Sequence, residues 1–477
     1  MRTLWGLVLL AVAGCAIGPD FKRPAAPVTD GYLPAPAADA TGVAAPAPVP
    51  RTGVEAPAAW WSMFGSAELD ALVSTALQAS PTVAEAQANL RIAREALAAQ
   101  RGSYFPAITG GATASRQRDA VDVLSPTLTS GTAVFSLYTT QVNVGYTLDV
   151  FGLNRRQVES AAASAEVSRW QLEATSLTLA GNVVAAAIQL AGTNEQLAAT
   201  RESIGSQRQV LEIIRRQQRA GAASGIDVAA QETLLAQTEA ALPALERQRE
   251  TLRHLLAVLL GRLPSEAPAS TPALSALHLP AEVPVGVPSS LVARRPDVRA
   301  AEAALHVATA DVGVARANLL PQLTLDATLG STATRTPALF RTYTRFWTAG
   351  ASLSQTLFEG GTLLHRSRGA DAALDAAGAR YRQAVLAAFQ NVADALRALE
   401  ADAATLASAE RAADAAARSL AIVRRQLELG AVGYLALLNA ESADAGSRAA
   451  RSVARTSLYL DTAALCQAVA GPVPAIP

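Results

Sequence analysis

The chain has 477 residues, with 40 Lys+Arg against 40 Asp+Glu, so it carries no net formal charge and offers no field to nucleic acid or to an anionic surface. Half of it is hydrophobic but only 5% is aromatic, and Ala supplies much of the apolar count, which favours closely packed helices over a bulky globular core. The length allows about three ordinary domains.

Residues 1–14 read as an export signal: one Arg, a charge-free apolar run from Leu4 to Ala13, and small residues before Cys15. Val12-Ala13-Gly14-Cys15 resembles the lipobox of bacterial lipoproteins, which implies acyl chains on Cys15. Ala16 in the next position goes, in such lipoproteins, with delivery to the outer membrane. Several acyl chains together anchor a protein stably. The other cysteine, Cys466, is then left without a partner for an internal disulfide. A Pro/Ala-rich tether, 15–57, follows. Pro19, Pro24, Pro27, Pro34, Pro36, Pro46, Pro48 and Pro50 leave it too broken for helix or strand.

From residue 58 the chain is written twice. Pro81 and Pro106 stand 25 apart, as do Pro296 and Pro321, and Arg215-Arg216-Gln217 with Gly221 recurs 209 residues on as Arg424-Arg425-Gln426 with Gly430. This predicts a first repeat over 58–262 and a second over 291–470, with a Pro-rich linker at 263–290 and a tail at 471–477. Each repeat is expected to hold a helix, two strands and a long helical hairpin. In the first the strands fall within about 104–151 and the hairpin within about 152–261; in the second, about 321–358 and 362–470. The offset is 215 at the prolines and 209 at the arginines, so six extra residues lie between Pro106 and Gly152.

The strands show period-2 alternation. Val142, Val144, Tyr146, Leu148 and Val150 share one face, and Gln141, Asn143, Gly145, Thr147 and Asp149 the other. Leu323, Leu325, Ala327 and Leu329 likewise oppose Thr324, Asp326, Thr328 and Gly330. Weaker alternation runs through Ile108–Ser115 and Thr348–Leu357, where Gln355 breaks the apolar face. Arg155 to Arg219 holds no proline, and a heptad seam of Val183, Leu190, Leu197, Ile204 and Leu211 returns 209 residues later as Val392, Leu399, Leu406, Ala413 and Leu420. Gly221 and Gly225, then Gly430 and Gly433, mark hairpin tips. Ala174–Asn194 is uncharged over 21 residues, long enough to cross a bilayer. Its Thr, Ser, Asn and Gln content and the Asp394, Arg397, Glu400 and Asp402 of its repeat equivalent argue for a packed helix instead.

Four amphipathic strands cannot close into a barrel, and hydrocarbon does not tolerate the unpaired edge of an open sheet. Oligomerisation removes the edges; three copies would give 12 strands, enough for an aqueous lumen. The expected fold class is mainly α with a β membrane part. In it, duplicated halves each hold two strands and a long coiled-coil hairpin.

Cys15-Ala16-Ile17-Gly18-Pro19-Asp20-Phe21-Lys22-Arg23-Pro24, Trp60-Trp61-Ser62-Met63-Phe64, and Arg294-Arg295-Pro296-Asp297-Val298-Arg299 with Ala315-Arg316-Ala317-Asn318-Leu319-Leu320-Pro321 resemble segments of TolC-like outer-membrane efflux proteins, NodT-type lipoprotein subgroup. That resemblance implies a homotrimer with a 12-stranded β-barrel in outer-membrane lipid, continued by an α-helical periplasmic barrel. Its implied partners are a periplasmic adaptor and an inner-membrane pump, and its implied function is passive efflux of drugs, toxic compounds or metals. By the same resemblance the tips Ala220-Gly221-Ala222 and Leu429-Gly430-Ala431 would meet the adaptor, although a glycine also simply ends a helix. A periplasmic gate would fall at Leu435 and Asn439, four residues apart on one helix face, with Leu435 closing the pore as a hydrophobic ring. The family often has an aspartate where Asn439 stands; three neutral amides around the axis do not attract cations as three carboxylates would. Asp227 in the first repeat supplies charge or caps its helix.

Other classes fit less well. His254, His278, His306 and His365 sit apart from cysteines and carboxylates at ligand spacing and read as solvated surface. Gly360-Gly361 lacks the lysine of a phosphate loop. No enzyme, metal site, nucleic acid or cofactor beyond the lipid on Cys15 is expected. A periplasmic adaptor or scaffold lipoprotein needs no strand pair in each half. A channel serving protein secretion differs from this reading only through the subgroup resemblance. With Met1 removed in the signal, Met63 alone remains, so a methionine relay for soft metals has no support.

Overall fold

The computed structural model describes residues 16–27, 29, 31–33, 48–118 and 134–474; Cys15 and the signal lie outside them. In chain order the first repeat contains β1 (Val49–Thr52), α1 (Ala67–Ala79), α2 (Pro81–Arg101), β2 (Ala107–Arg118), β3 (Val134–Leu148), α3 (Leu153–Arg219) and α4 (Gly225–Leu259). After them come β4 (Glu282–Val285), α5 (Pro288–Arg294), α6 (Pro296–Ala317), β5 (Gln322–Ala333), β6 (Arg345–Ser354), α7 (Thr362–Glu428) and α8 (Tyr434–Val469). Two compact units result, and each draws on both repeats.

One unit comprises residues up to Arg23, Leu90–Val167 and Ala301–Tyr381. Its sheet runs β2-β3-β5-β6, all antiparallel, so the repeats join through the β3–β5 pair. The register keeps the two faces separate across all four strands. Ile108, Val144, Ala327 and Ala349 form one row, and Thr109, Asn143, Thr328 and Thr348 form the next row on the opposite face. Thr328 Oγ1 donates to Asn143 Oδ1 at 3.0 Å, knitting the polar face. Gln355 does not interrupt a strand, because β6 ends at Ser354; its amide donates to Leu319 O at 3.3 Å and helps turn the chain. Part of the six-residue surplus is β3 itself, 15 residues against 10 in β6. The longer connection before β3, residues 119–133, lies outside the described residues.

The other unit comprises Pro24–Asn89, Ser168–Ala300 and the chain from Arg382 onward. Here the ten seam positions, from Val183 to Leu211 and from Val392 to Leu420, are buried at 7% exposure or less. The heptad therefore marks a packed stripe. The most apolar window of α3 is 61% buried inside the protein, as in a core helix. Trp60, Phe64, Leu69, Leu256, Leu458 and Leu465 complete the core, and Tyr459 Oη donates to Leu277 O at 2.9 Å beneath it.

The expectation that residues 15–57 form no strand is corrected here. Val49–Thr52 pairs in parallel with Glu282–Val285, which lies in the predicted linker. Two prolines are tolerated because, among the described residues, each strand is paired on one side only. Val49 N–H donates to Ala281 O and Gly53 N–H to Val285 O, so Pro50, pointing the other way, has no ladder bond to lose.

Candidate functional site: hairpin tips and amphipathic sheet

Both hairpins close by the same bonds. Ala222 N–H reaches Gln217 O and Ala431 N–H reaches Gln426 O, each at 2.8 Å, which satisfies carbonyls that the helix end would otherwise orphan. The residue between must be left-handed, and Gly221 (φ 77°) and Gly430 (φ 71°) take that conformation without a Cβ penalty. Ala220, Gly221, Ala222, Leu429, Gly430 and Ala431 are all exposed on these turns.

Beyond the turns the two tips differ. Ser224 caps α4: its Oγ accepts from Asp227 N–H (3.2 Å), while the Asp227 carboxylate accepts from Ser224 N–H (2.9 Å) and Oγ–H (2.7 Å). Those bonds hold the Asp227 pKa below the ordinary carboxylate range. Its helix-capping role is thus realised, and its charge stays at the tip. α8 begins at Gly433 with no side-chain cap.

On α8, Leu437 and Ala440 turn inward against Leu420, while Leu435 (68% exposed) and Asn439 are both exposed. Tyr434 lies partly buried nearby; burial raises its pKa, and the negative charge of Asp227 adds to the rise. One turn further, Glu441 and Asp444 are buried beside a cavity of about 240 Å3. Burial raises the Glu441 pKa against the pull of Arg424 at 3.3 Å. Sequence reading passed over these carboxylates because they interrupt an apolar face.

The sheet supplies the second element. Ile108, Val142, Leu325, Leu329, Trp347 and Leu353 lie exposed on a single face, while Thr and Asn residues with Gln141 and Asp326 occupy the other. Among the described residues, β2 and β6 are each paired on one side only. An exposed apolar face this regular belongs in lipid. Phe105, beside β2, and Phe358, just after β6, are exposed at one end of the sheet, and Phe340 and Tyr343 at the other, where aromatic rings suit a membrane–water boundary.

One histidine departs from expectation. His306 Nε2 lies 2.8 Å from Glu159 Oε1 and its ring stacks on Phe21, so it is not a merely solvated side chain. The residues that meet there are far apart in the chain, and no local pattern announces them.

A family model described as outer membrane efflux protein matches residues 72–262 and 287–471, once per repeat. The chain belongs to the outer membrane efflux protein family. The pyoverdine export outer membrane protein OpmQ of Pseudomonas putida is 34% identical over 348 residues, covering 72% of each chain. Nodulation protein T of Rhizobium leguminosarum is 27% identical, covering 97% of this chain and 92% of its own. The solved outer-membrane channel OprN superposes with a TM-score of 0.86 at 30% identity, covering 96% of this chain and 99% of that one. Membership of the efflux family places the protein in the outer membrane as an efflux channel with the mainly helical, partly β fold of TolC-like proteins. Its family and fold are those of channels rather than of known enzymes.

Proposed function

We propose that three copies of this chain close one 12-stranded barrel and that each contributes two hairpins, from repeats 58–262 and 291–470, to a periplasmic conduit. The observation that carries the proposal is the four-stranded sheet with an exposed apolar face and two unpaired edges, β2 and β6. An open edge in hydrocarbon costs several kcal/mol for each unsatisfied group, and pairing β6 of one copy with β2 of the next removes that cost. Acyl chains on Cys15 hold the protein in the membrane; the exposed tips at Gly221 and Gly430 dock a periplasmic adaptor fed by an inner-membrane pump. One relative is named for pyoverdine export, which agrees with a passage for small solutes.

Leu435 and Asn439 form the gate in this reading. Repeated three times, Leu435 makes an apolar constriction, and the neutral Asn439 amides give it no ionic latch. Asp227 adds charge beside it while remaining a helix cap. Native mass spectrometry of detergent-extracted protein should give a trimer. Planar-bilayer recording should show Leu435→Ser raising the open fraction. An unchanged open fraction and unchanged efflux would remove Leu435 from the gate, and a monomer would remove the barrel.

A further inference from the structure

The segment that follows Cys15 is held in the sheet-containing unit at Ile17, Gly18, Asp20, Phe21 and Arg23. Ile17 N–H donates to Phe151 O at 3.1 Å. Arg156, in the first turn of α3 and only 4% exposed, donates from Nε to Ile17 O (3.2 Å) and from Nη2 to Gly18 O (3.3 Å) and Asp20 Oδ1 (2.8 Å). Its Nη1 donates to Glu159 Oε2 (2.7 Å), and the other oxygen of Glu159 meets His306, which stacks on Phe21 at 4.3 Å. Arg23 pairs with Glu302 at 3.2 Å. Four acceptors around one guanidinium use the planar donor fork that lysine lacks. Steric fit adds to the bonding: a Cβ on Gly18 would sit 2.5 Å from Gly313 Cα. Burial alone would lower the Arg156 pKa, but its bonds to Asp20 and Glu159 outweigh that and raise it.

Among the described residues this cluster has no counterpart in the other repeat, although the chain is duplicated. Displaced by 209, Arg156 becomes His365 and Glu159 becomes Arg368; displaced by 215, Glu302, His306 and Gly313 correspond to Gln87, Arg91 and Ala98. The equivalent place has no arginine at the Arg156 position, no carboxylate at those of Glu159 and Glu302, and no glycine at that of Gly313. A feature that the repeat does not require, built only where the chain leaves Cys15, points to a task concerning Cys15.

We propose that Arg156 is a positioning residue that binds the extended segment Ile17–Asp20 and so fixes Cys15, with the acyl chains it carries, beside the end of β3 at Phe151. The proposal rests on the lipid-anchor reading. Two residues span at most about 7 Å, so Cys15 is held within that reach of the bonded Ile17. The depth of the anchor and the depth of the sheet in the membrane are then set by one segment rather than by a loose tether.

The test uses the full-length lipoprotein and Arg156→Gln, with Gly18→Ala as a second variant that displaces the segment without touching a charge. Three quantities are measured: acylation by intact mass, exchange of the Ile17 amide, and the temperature at which the oligomer dissociates in SDS. Both variants should be acylated like the parent, while Ile17 exchange accelerates about a hundredfold or more, as expected for losing or straining the segment's three hydrogen bonds to Arg156. Their dissociation temperatures should fall toward that of a non-lipidated form made with a signal cleaved without acylation. In that form Arg156→Gln should lower the temperature no further, because the two changes act through one path. Unchanged Ile17 exchange in both variants overturns the proposal. Equal falls with and without lipid also overturn it, reducing Arg156 to a packing role. A parent mass without acyl chains overturns the lipid-anchor reading itself, and Ile17 exchange still decides whether Arg156 holds the segment.

Discussion

The two helical hairpins have nearly the same length and close on the same turn, yet among the described residues the first carries a ladder of three helix-to-helix ion pairs where the second keeps one at the matching places. α3 and α7 are each 67 residues, and α4 and α8 are 35 and 36. Between α3 and α4, Arg201 pairs with Glu246 (2.7 Å), Arg208 with Glu239 (2.6 Å) and Arg215 with Glu232 (2.7 Å). The rungs step by seven residues on both helices, so one ladder follows the heptad beside the apolar seam. The corresponding places in the second hairpin hold Glu410 and Arg455, Ala417 and Arg448, and Arg424 and Glu441, and of these the described residues form only the last pair. Arg448 instead joins Asp444 and reaches Glu202 on α3. Add the Ser224–Asp227 box, present at the first tip and missing from the second, and a division of labour emerges. Duplication preserved the packed frame, while the full ladder stands in the first hairpin and a single rung, Arg424–Glu441, in the second.

The largest effects should fall on the shared frame. Leu197→Ala and Leu406→Ala occupy equivalent seam positions, 1% and 4% exposed. Each should cost about 2–5 kcal/mol, read as a lowered urea midpoint. Losses that agree within about 1 kcal/mol would sharpen the claim of a common frame, whereas a variant losing almost nothing would break it.

Exchanging the caps probes the difference. Ser224→Gly with Asp227→Ala should cost the first turn of α4 about 1 kcal/mol, seen as roughly fivefold faster amide exchange there. Gly433→Ser with Ala436→Asp should slow exchange at the start of α8 by a similar factor and lower the open fraction. A faster-opening channel after that graft would place the moving element elsewhere. The same cap should respond to acid. The folded pKa of Asp227 is depressed, so its contribution is complete above the unfolded value near about 4 and is lost as pH falls through the lower folded value. Protection of the Ile226–Val228 amides, relative to their intrinsic exchange rate at each pH, should therefore fall on acidification below that range, with protection at Tyr434–Leu437 unchanged.

Apolar alternation and heptads made the frame legible. Val142 to Leu148 and Leu323 to Leu329 lie on one face because a strand has no other way to separate them, and Val183 to Leu211 are buried for a similar reason on a helix. The tips were readable through glycine. The Arg201–Arg208–Arg215 ladder was present in the sequence too, but only for a reading that follows charge as well as hydrophobicity in sevens. Other features had no local trace. Asp20 and Arg156 are 136 residues apart, and Glu159 and His306 are 147 apart, so neither pair forms a spacing pattern. The β1–β4 pair was hidden by prolines whose harmlessness depends on which side of the strand stays unpaired.

The smallest predicted effect is the ladder itself. Arg208 and Glu239 are 65% and 39% exposed, so a double-mutant cycle with Arg208→Gln and Glu239→Gln should give a coupling of only about 0.2–1 kcal/mol. It should vanish near 1 M salt, where the screening length falls to about 3 Å. A rung can also be built where the second hairpin lacks one, by Ala417→Glu opposite Arg448. If the second hairpin is the one that swings, that rung should reduce the open fraction at low salt and release it at high salt. Removing the Arg208–Glu239 rung should leave opening nearly unchanged. The opposite pattern, with opening sensitive to the first hairpin and indifferent to the second, would reverse the assignment of strut and gate.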